Sequence, residues 1–486
     1  MVKVTKAPRE SSYTDALIPV LTLIISLALS VYLFGSDSSF GSNQISLILA
    51  TAIAASIGYK NGYTWNDIHG GILQGIQSAM GAILILLSVG LLVGTWILSG
   101  TVPAMLIYGI ELISPQWFYV TSCLASAIVA LSIGSSWSTA GTVGVGLMGI
   151  SLGLDLDPGI AAGAIISGAY MGDKMSPLSD STNLAPSVAG SELFSHIRHM
   201  TWTTVPAFVL SLIIFTILGF LETPSNNEVG IQEISAAIEN EFSIGLHLLL
   251  PMVILFALAR AKVPALASVL IGSLSGIVFA LVFQQEAILG MVDDTESLAT
   301  VLAVVKGVWI TTYDGYSSSN SNETVKTLLS QGGMKSMLNT IWLIMCALAF
   351  GGVMESIGLL KKLVDGVMKQ VKSTQGLLVS TLFTAFGVNL VASDQYMAIV
   401  LPGRAFREEY AKRGLDPLNL SRAIEDAGTV TSVLVPWNTC GAFMAVTLGV
   451  QTFEYLPHAL FNILSPLIAL LFALTLFKVL KIKKHN

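Results

Sequence analysis

The sequence predicts an all-α polytopic membrane protein made of two inverted-topology repeats. Three observations predict it: too little charge for a water-facing surface, a series of long apolar segments, and loop charges whose sidedness opposes the two halves. The chain has 486 residues, of which 24 are Lys+Arg and 30 Asp+Glu; 11% are charged, 53% are hydrophobic and the mean hydropathy is +0.74. A soluble domain carries about 25% charged residues, which excludes an ordinary globular enzyme. At roughly 20 residues per crossing, the length admits about ten to twelve crossings. The 44 glycines suit membrane helices that pack closely or break. The net charge of -6 sits mostly in loops with no basic stripe, so no nucleic-acid partner is expected. Cys123, Cys346 and Cys440 lie far apart without CxxC spacing, which supports neither a disulfide framework nor a metal knuckle.

The apolar segments are 17–34, 44–58, 71–99, 118–150, 158–186, 201–221, 245–259, 263–283, 337–360, 376–403, 423–449 and 459–480. The first is long for a signal peptide and reads as a span. Lys and Arg in short loops mark the cytoplasmic side. Lys3, Lys6 and Arg9 precede the first span and Lys478, Lys481, Lys483 and Lys484 follow the last, so both termini read as cytoplasmic. Lys60, Arg198, Arg260, Lys262, the Lys361–Lys372 group and Arg404–Arg413 mark the same side. The stretches 100–117, 222–243, 284–296 and 450–458 lack basic residues and read as external loops. On this assignment 118–150 begins and ends outside, whereas 376–403 begins and ends inside. Each is short for two crossings, which need about 40 residues, so both read as re-entrant hairpins.

The halves then align. Ser135 and Trp137 match Asp394 and Tyr396 at an offset of 259 positions, as do Asp157-Pro158 with Asp416-Pro417 and Pro177 with Pro436. At an offset of 262, Gly70-Gly71 matches Gly332-Gly333, and Gly90 matches Gly352. The predicted organisation is repeat one over 1–221, an external acidic linker over 222–244 and repeat two over 245–486. An external insert at about 284–336 contains a short apolar run with Trp309. Opposed repeats of this kind mark secondary transporters, with the site near the membrane midplane.

The polar chemistry falls where that site is expected. Residues 167–186 must cross the membrane, yet they contain Asp173, Lys174, Asp180 and Asn183. Buried charge at the bilayer centre costs roughly 2.5–3.5 kcal/mol even on a lenient scale, so this stretch must face protein or water. Pro177 and Pro186 lack N–H groups and deprive the carbonyls of Asp173 and Thr182 of helical partners; Pro436 does the same to Ser432. Broken helices are therefore expected within 158–186 and 423–449, with hard oxygen ligands suited to Na+. Ser176 and Thr182 add hydroxyls; Asn438 and Thr439 follow the second break. The hairpin tips supply Ser135, Ser136, Ser138 and Thr139 on one side, and Asn389, Ser393 and Asp394 on the other. Asp426 stands as either a proton site or a partner of Arg422, and Glu355 as a second possible proton site. His69, His196, His199, His247 and His458 read as solvated or interfacial, and Trp117, Tyr119 and Trp309 as interface anchors.

The run Gly172-Asp-Lys-Met-Ser-Pro-Leu-Ser-Asp-Ser-Thr-Asn-Leu-Ala-Pro186 resembles the hallmark of NhaC-type sodium/proton antiporters. Gly-Thr-Trp-Ile-Leu-Ser-Gly at 94–100, Ser-Trp-Ser-Thr-Ala-Gly-Thr at 136–142, and Asp-Gln-Tyr with Leu-Pro-Gly-Arg-Ala-Phe at 394–406 support the resemblance. It implies an elevator-like transporter without a resident cofactor, in which Na+ and H+ are the transported or coupling ions. A multi-pass homodimer of a bacterial cytoplasmic membrane is the matching expectation. In the leading reading Asp173 and Asp180 bind Na+ or H+, and Lys174 pairs with a carboxylate when Na+ is absent. The alternative is a Na+- or H+-coupled carrier of organic anions (lactate or malate) or amino acids, weakened by the lack of an arginine in the predicted core. A third reading, an intramembrane protease, finds no GxGD spacing at Asp173 and no Ser/His pair in the core.

Overall fold

The structure, a computed structural model, describes residues 8–112, 114–222, 228–261, 263–292, 299–322, 325–326 and 329–482. Lys3, Lys6, Lys262, Lys483 and Lys484, used above for sidedness, lie outside the described residues, as do Asp293, Asp294 and Glu296 of the 284–296 loop.

The first half runs through α1 (Tyr13–Phe34), α2 (Ser42–Lys60), α3 (Trp65–Ser78), α4 (Met80–Leu98) and α5 (Thr101–Leu112). Next come α6 (Phe118–Ile133), α7 (Ser136–Thr139), α8 (Val145–Gly153), α9 (Pro158–Met175), α10 (Asp180–Ala189), α11 (Leu193–Leu221) and α12 (Glu228–Glu241). The second half comprises α13 (Leu250–Arg260), α14 (Ala265–Phe283), α15 (Gln285–Gly290), α16 (Thr300–Asp314), α17 (Leu338–Ser356), α18 (Leu359–Met368) and α19 (Thr374–Ala392). It closes with α20 (Gln395–Lys412), α21 (Pro417–Ile424), α22 (Thr439–Leu448), α23 (Thr452–Tyr455) and α24 (Leu460–Thr475). Among the described residues, seven helices are long and apolar enough to cross a membrane, and ten spans result if each bent pair counts once. Their outward faces are apolar: Leu21, Ile25 and Leu29 of α1, Ile213 and Ile217 of α11, and Leu274 and Val278 of α14 are exposed. Helices close their own backbone hydrogen bonds, which is what such a surface requires in lipid.

The predicted segments appear with instructive differences. Segment 71–99 is two helices meeting at Ala79, whose backbone (φ -101°, ψ 8°) leaves the helical range. Loop 100–117 contains α5, whose Leu106 and Ile107 are buried. The acidic linker holds α12, and loop 284–296 holds α15. In each case tertiary packing orders a stretch that loop charge alone marked as a connection. The first arm of each hairpin, α6 or α19, is itself long and apolar enough for a crossing, so arm length carries no argument for re-entrance.

Local backbone geometry recurs at the offset of 259. Gly134 and Ser393 both adopt left-handed conformations (φ 77° and 59°) at the hairpin tips. Ser135 and Asp394 then cap the returning arms, accepting from Ser138 N and Met397 N at 3.1 and 2.9 Å. Asp157 and Asp416 cap α9 and α21, each followed by proline. Ser179 and Asn438 cap α10 and α22, which end at left-handed Gly190 and Gly449. An N-cap oxygen satisfies a backbone donor that the first helical turn leaves open, so each matched position has the same local task.

Candidate functional site

The two breaks place helix ends inside the molecule. The helix α9 stops at Met175, Ser176–Ser179 run without helix, and α10 restarts at Asp180. In the second half, α21 passes into a wider π-helical turn at Glu425–Thr429 and a 3-10 turn at Ser432–Leu434, then breaks before α22. The carbonyls expected to be free are engaged. Asp173 O accepts from Ser176 N at 3.0 Å and from the Thr182 hydroxyl at 3.2 Å. Ser432 O accepts from Val435 N at 3.3 Å. Pro186 does not break the chain; it lies inside α10. The reason is general: a buried backbone acceptor finds whichever donor the turn supplies.

The hairpin tips dock on these breaks. Ser136 donates to Asp173 Oδ2 through both its backbone N–H (2.9 Å) and its hydroxyl (2.7 Å). The matched contact in the second half reverses the direction, with Ser432 Oγ donating to Gln395 Oε1 at 3.3 Å. Thr439 N donates to Ser393 O at 3.0 Å, and Asn438 Nδ2 donates to Asn389 Oδ1 at 3.1 Å. Asn389 in turn donates to Gly428 O at 2.6 Å.

A cavity of about 620 Å³ opens where the four elements meet. Its wall includes Ser135, Ser136 and Ser138 from hairpin one, Asp173 and Asp180 from the first broken helix, Asp394 from hairpin two and Thr439 from α22. Asp180 is exposed to this space, while Asp173 is buried with Oδ1 lacking a protein partner. Several other sequence-predicted residues lie outside the lining. Thr139 donates to Ser135 O, Ser176 accepts from Leu178 N, and Thr182 ties the broken ends together. Asn183 is exposed and donates to Pro177 O and Ser179 O. Asn389, Ser393 and Asn438 stand behind the tips, and Glu355 is exposed at the C-terminal end of α17.

Lys174 and Asp426 form an ion pair, both side chains 0% exposed. Asp426 therefore joins Lys174 rather than Arg422, with Thr203 donating to its Oδ1 at 3.1 Å. An arginine does lie in the core, contrary to expectation: Arg422 is buried over the Phe472 ring, although it does not line the cavity. His196 and His199 are also buried rather than solvated, because α11 begins at Leu193 and carries them into its packed face. Trp117 and Trp309 are exposed as expected of anchors, whereas Tyr119 is buried and donates to Glu222.

Sequence reasoning missed several contributors. Glu425, fully buried, accepts from Ser181 Oγ at 3.0 Å. Trp137 and Tyr396 both face the cavity, with Trp137 stacked on Phe443 at 4.1 Å; their match at the 259 offset was the available signal. Ser78 and Ala79, at the α3–α4 break, and Pro264 and Ser268 also line the wall, and no charge marked them in advance.

The model of the Na+/H+ antiporter family matches residues 168–476. The chain is 39% identical to the Na(+)/H(+) antiporter NhaC of Alkalihalophilus pseudofirmus over 429 residues, 88% of this chain and 89% of that relative. It is 36% identical to the Malate-2H(+)/Na(+)-lactate antiporter of Bacillus subtilis over 433 residues, 89% of each chain. It is 35% identical to the Arginine/ornithine antiporter ArcD of Halobacterium salinarum over 477 residues, 97% of this chain and 93% of that one.

Proposed function

Because the chain belongs to the Na+/H+ antiporter family, we propose that it exchanges Na+ for H+ across a bacterial cytoplasmic membrane by alternating access, with both termini cytoplasmic. One observation carries the reading: Asp173 and Asp180 of the first broken helix and Asp394 of hairpin two share a single cavity. The unpartnered Oδ1 of Asp173 is a hard oxygen suited to Na+. Ser136 holds the other oxygen with two donors, which orients the carboxylate. A site whose negative charge must be neutralised, by Na+ or by a proton, before it can move gives antiport, since a bare charge resists transfer through an apolar barrier. Ser135, Ser138 and Thr439 supply further oxygens around the ion.

The inverted-repeat reading of 1–221 and 245–486 is supported by the matched caps and tips. In this reading the hairpins and broken helices form a transport bundle that slides, as in an elevator, against the remaining spans. A cavity of this volume exceeds what one Na+ needs. That observation favours a second reading, coupled exchange of an organic anion or amino acid. The deciding experiment is Na+-driven proton movement in proteoliposomes containing the purified protein and no organic solute. Exchange is expected, and it should be lost in Asp173→Asn and Asp180→Asn. Full exchange in both variants overturns the assignment; exchange appearing only with lactate, malate or an amino acid supports the second reading.

A further inference from the structure

We propose that Glu425 carries the exchanged proton, on a carboxyl separate from those that meet Na+. The inference rests on the Na+/H+ reading and divides its labour between two carboxyl positions. Glu425 and Asp426 are neighbours in one π-helical turn, yet their surroundings differ. Asp426 Oδ1 takes the Lys174 ammonium and the Thr203 hydroxyl, and Ser465 Oγ stands 3.4 Å away. Glu425 is equally buried and, like Asp426 Oδ2, its Oε2 has no partner, but its Oε1 accepts only a hydroxyl, that of Ser181, and among the described residues no cation pairs with it. A buried carboxylate without a cation is costly as an anion, and a proton on it removes the charge.

The neighbours from each packed element fit this role. From α9 come Lys174, already engaged by Asp426, and Asp173, whose negative charge opposes a second one nearby. Besides Ser181 from α10, the turn itself contributes Thr429, and Arg422, on the adjoining α21, lies over Phe472. The α11 and α24 contributions, Thr203 and Ser465, go to Asp426, while Asn389 of α19 is turned to the carbonyl of Gly428. From α20, Ala398 and Ile399 pack on Gly428 with no charge of their own.

A route to the cavity exists. Ser181 lines it, and its hydroxyl lies 3.2 Å from that of Ser179, which also lines it. With Glu425 protonated, the Ser181 hydroxyl turns from Oε1 to donate to Ser179 Oγ or cavity water, and the proton leaving Glu425 passes to Ser181 Oγ as the hydroxyl's own proton passes on. One proton leaves, one carboxylate remains, and one Na+ entering beside Asp173 and Asp180 restores the charge.

The test compares two fluxes of the full-length protein in proteoliposomes: Na+/Na+ exchange read with radioactive Na+, and Na+/H+ exchange read with an internal pH dye. For Glu425→Gln, Na+/H+ exchange should fall by roughly a hundredfold while Na+/Na+ exchange persists. Proton movement at the unmutated rate in Glu425→Gln overturns the inference and leaves the exchange reading standing. Absence of Na+-driven proton movement in the unmutated protein overturns the exchange reading, and this inference with it. Should Glu425→Gln fail to fold, Ser181→Ala keeps the carboxyl and cuts the route. A fall of roughly tenfold in Na+/H+ exchange, with Na+/Na+ exchange retained, supports the inference, and equal effects on both fluxes overturn it.

Discussion

Lys174, in the last turn of α9 at the break of the first broken helix, reaches across to Asp426 in the second and binds it where neither side chain meets solvent. The pair ties the two halves together directly behind the cavity. Removing one partner leaves an uncompensated buried charge, which typically costs about 3–5 kcal/mol, whereas replacing both by apolar groups is often neutral. Lys174→Met alone should therefore lower the unfolding temperature markedly, and Lys174→Met with Asp426→Leu should recover most of the loss. Thermal unfolding of the two purified variants in detergent checks this. A double variant no better than the single one would show that the pair does not act as a unit.

Ser136 joins hairpin one to the first broken helix. Its hydroxyl and its N–H both point at Asp173 Oδ2, so Ser136→Ala removes one donor and leaves the other. A hydrogen bond to a charged group contributes about 1.5–3 kcal/mol, so the Na+ concentration for half-maximal exchange should rise roughly tenfold or more. Ser138→Ala, whose backbone N–H still caps on Ser135, should change it less. Na+ titrations of exchange in the two variants separate the positions.

What the sequence could and could not reveal follows from where its signals are local. Pro177, Pro436 and the Ser/Gly-rich tips announce breaks through residues that disrupt helices at their own positions, and those elements converge as expected. The choice between Glu425 and Asp426 was not legible. A π-helical turn shifts the helical phase by a residue, so 3.6-residue periodicity does not say which of two adjacent acids faces Lys174. Lys174 could be foreseen as a charge partner but its acceptor could not, because 252 positions separate the pair. The Ser78–Ala79 wall stayed hidden inside an apolar run, where hydropathy shows a span but not a break.

The insert between α15 and α17 offers a pH-dependent reading. Glu241 accepts from the Tyr316 phenol at 2.8 Å, Ser318 Oγ at 2.7 Å and Asn320 Nδ2 at 3.2 Å, pinning the polar stretch to α12. Burial, and then the adjacent Glu241 charge, hold the Tyr316 phenol well above its usual 10.0. A group raised on folding contributes stability that is fully present below its unfolded value and lost as pH climbs toward the folded one. The insert should therefore hold at pH 9 and loosen as pH rises beyond about 10. Tyr316→Phe should abolish that alkaline step. Proteolysis across 317–322 against pH, with and without the substitution, is the measurement.

Two adjacent glycines should respond oppositely to the same change. Gly71 on α3 faces the backbone of Gly352 on α17, and a Cβ on it would lie 2.7 Å from Gly352 O. A second close contact joins α4 to the turn before α17, where Gly333 N donates to Gly90 O at 2.7 Å. At Gly70, one position earlier, an added Cβ meets nothing within 4 Å. Gly71→Ala must push apart two helices whose backbones touch, at about 1–3 kcal/mol. Gly70→Ala removes glycine's excess freedom from a helix interior and should stabilise by up to about 1 kcal/mol. Unfolding temperatures of the two variants should move in opposite directions from the parent, and a Gly71→Ala protein as stable as the parent would show that the α3–α17 seam is not close-packed.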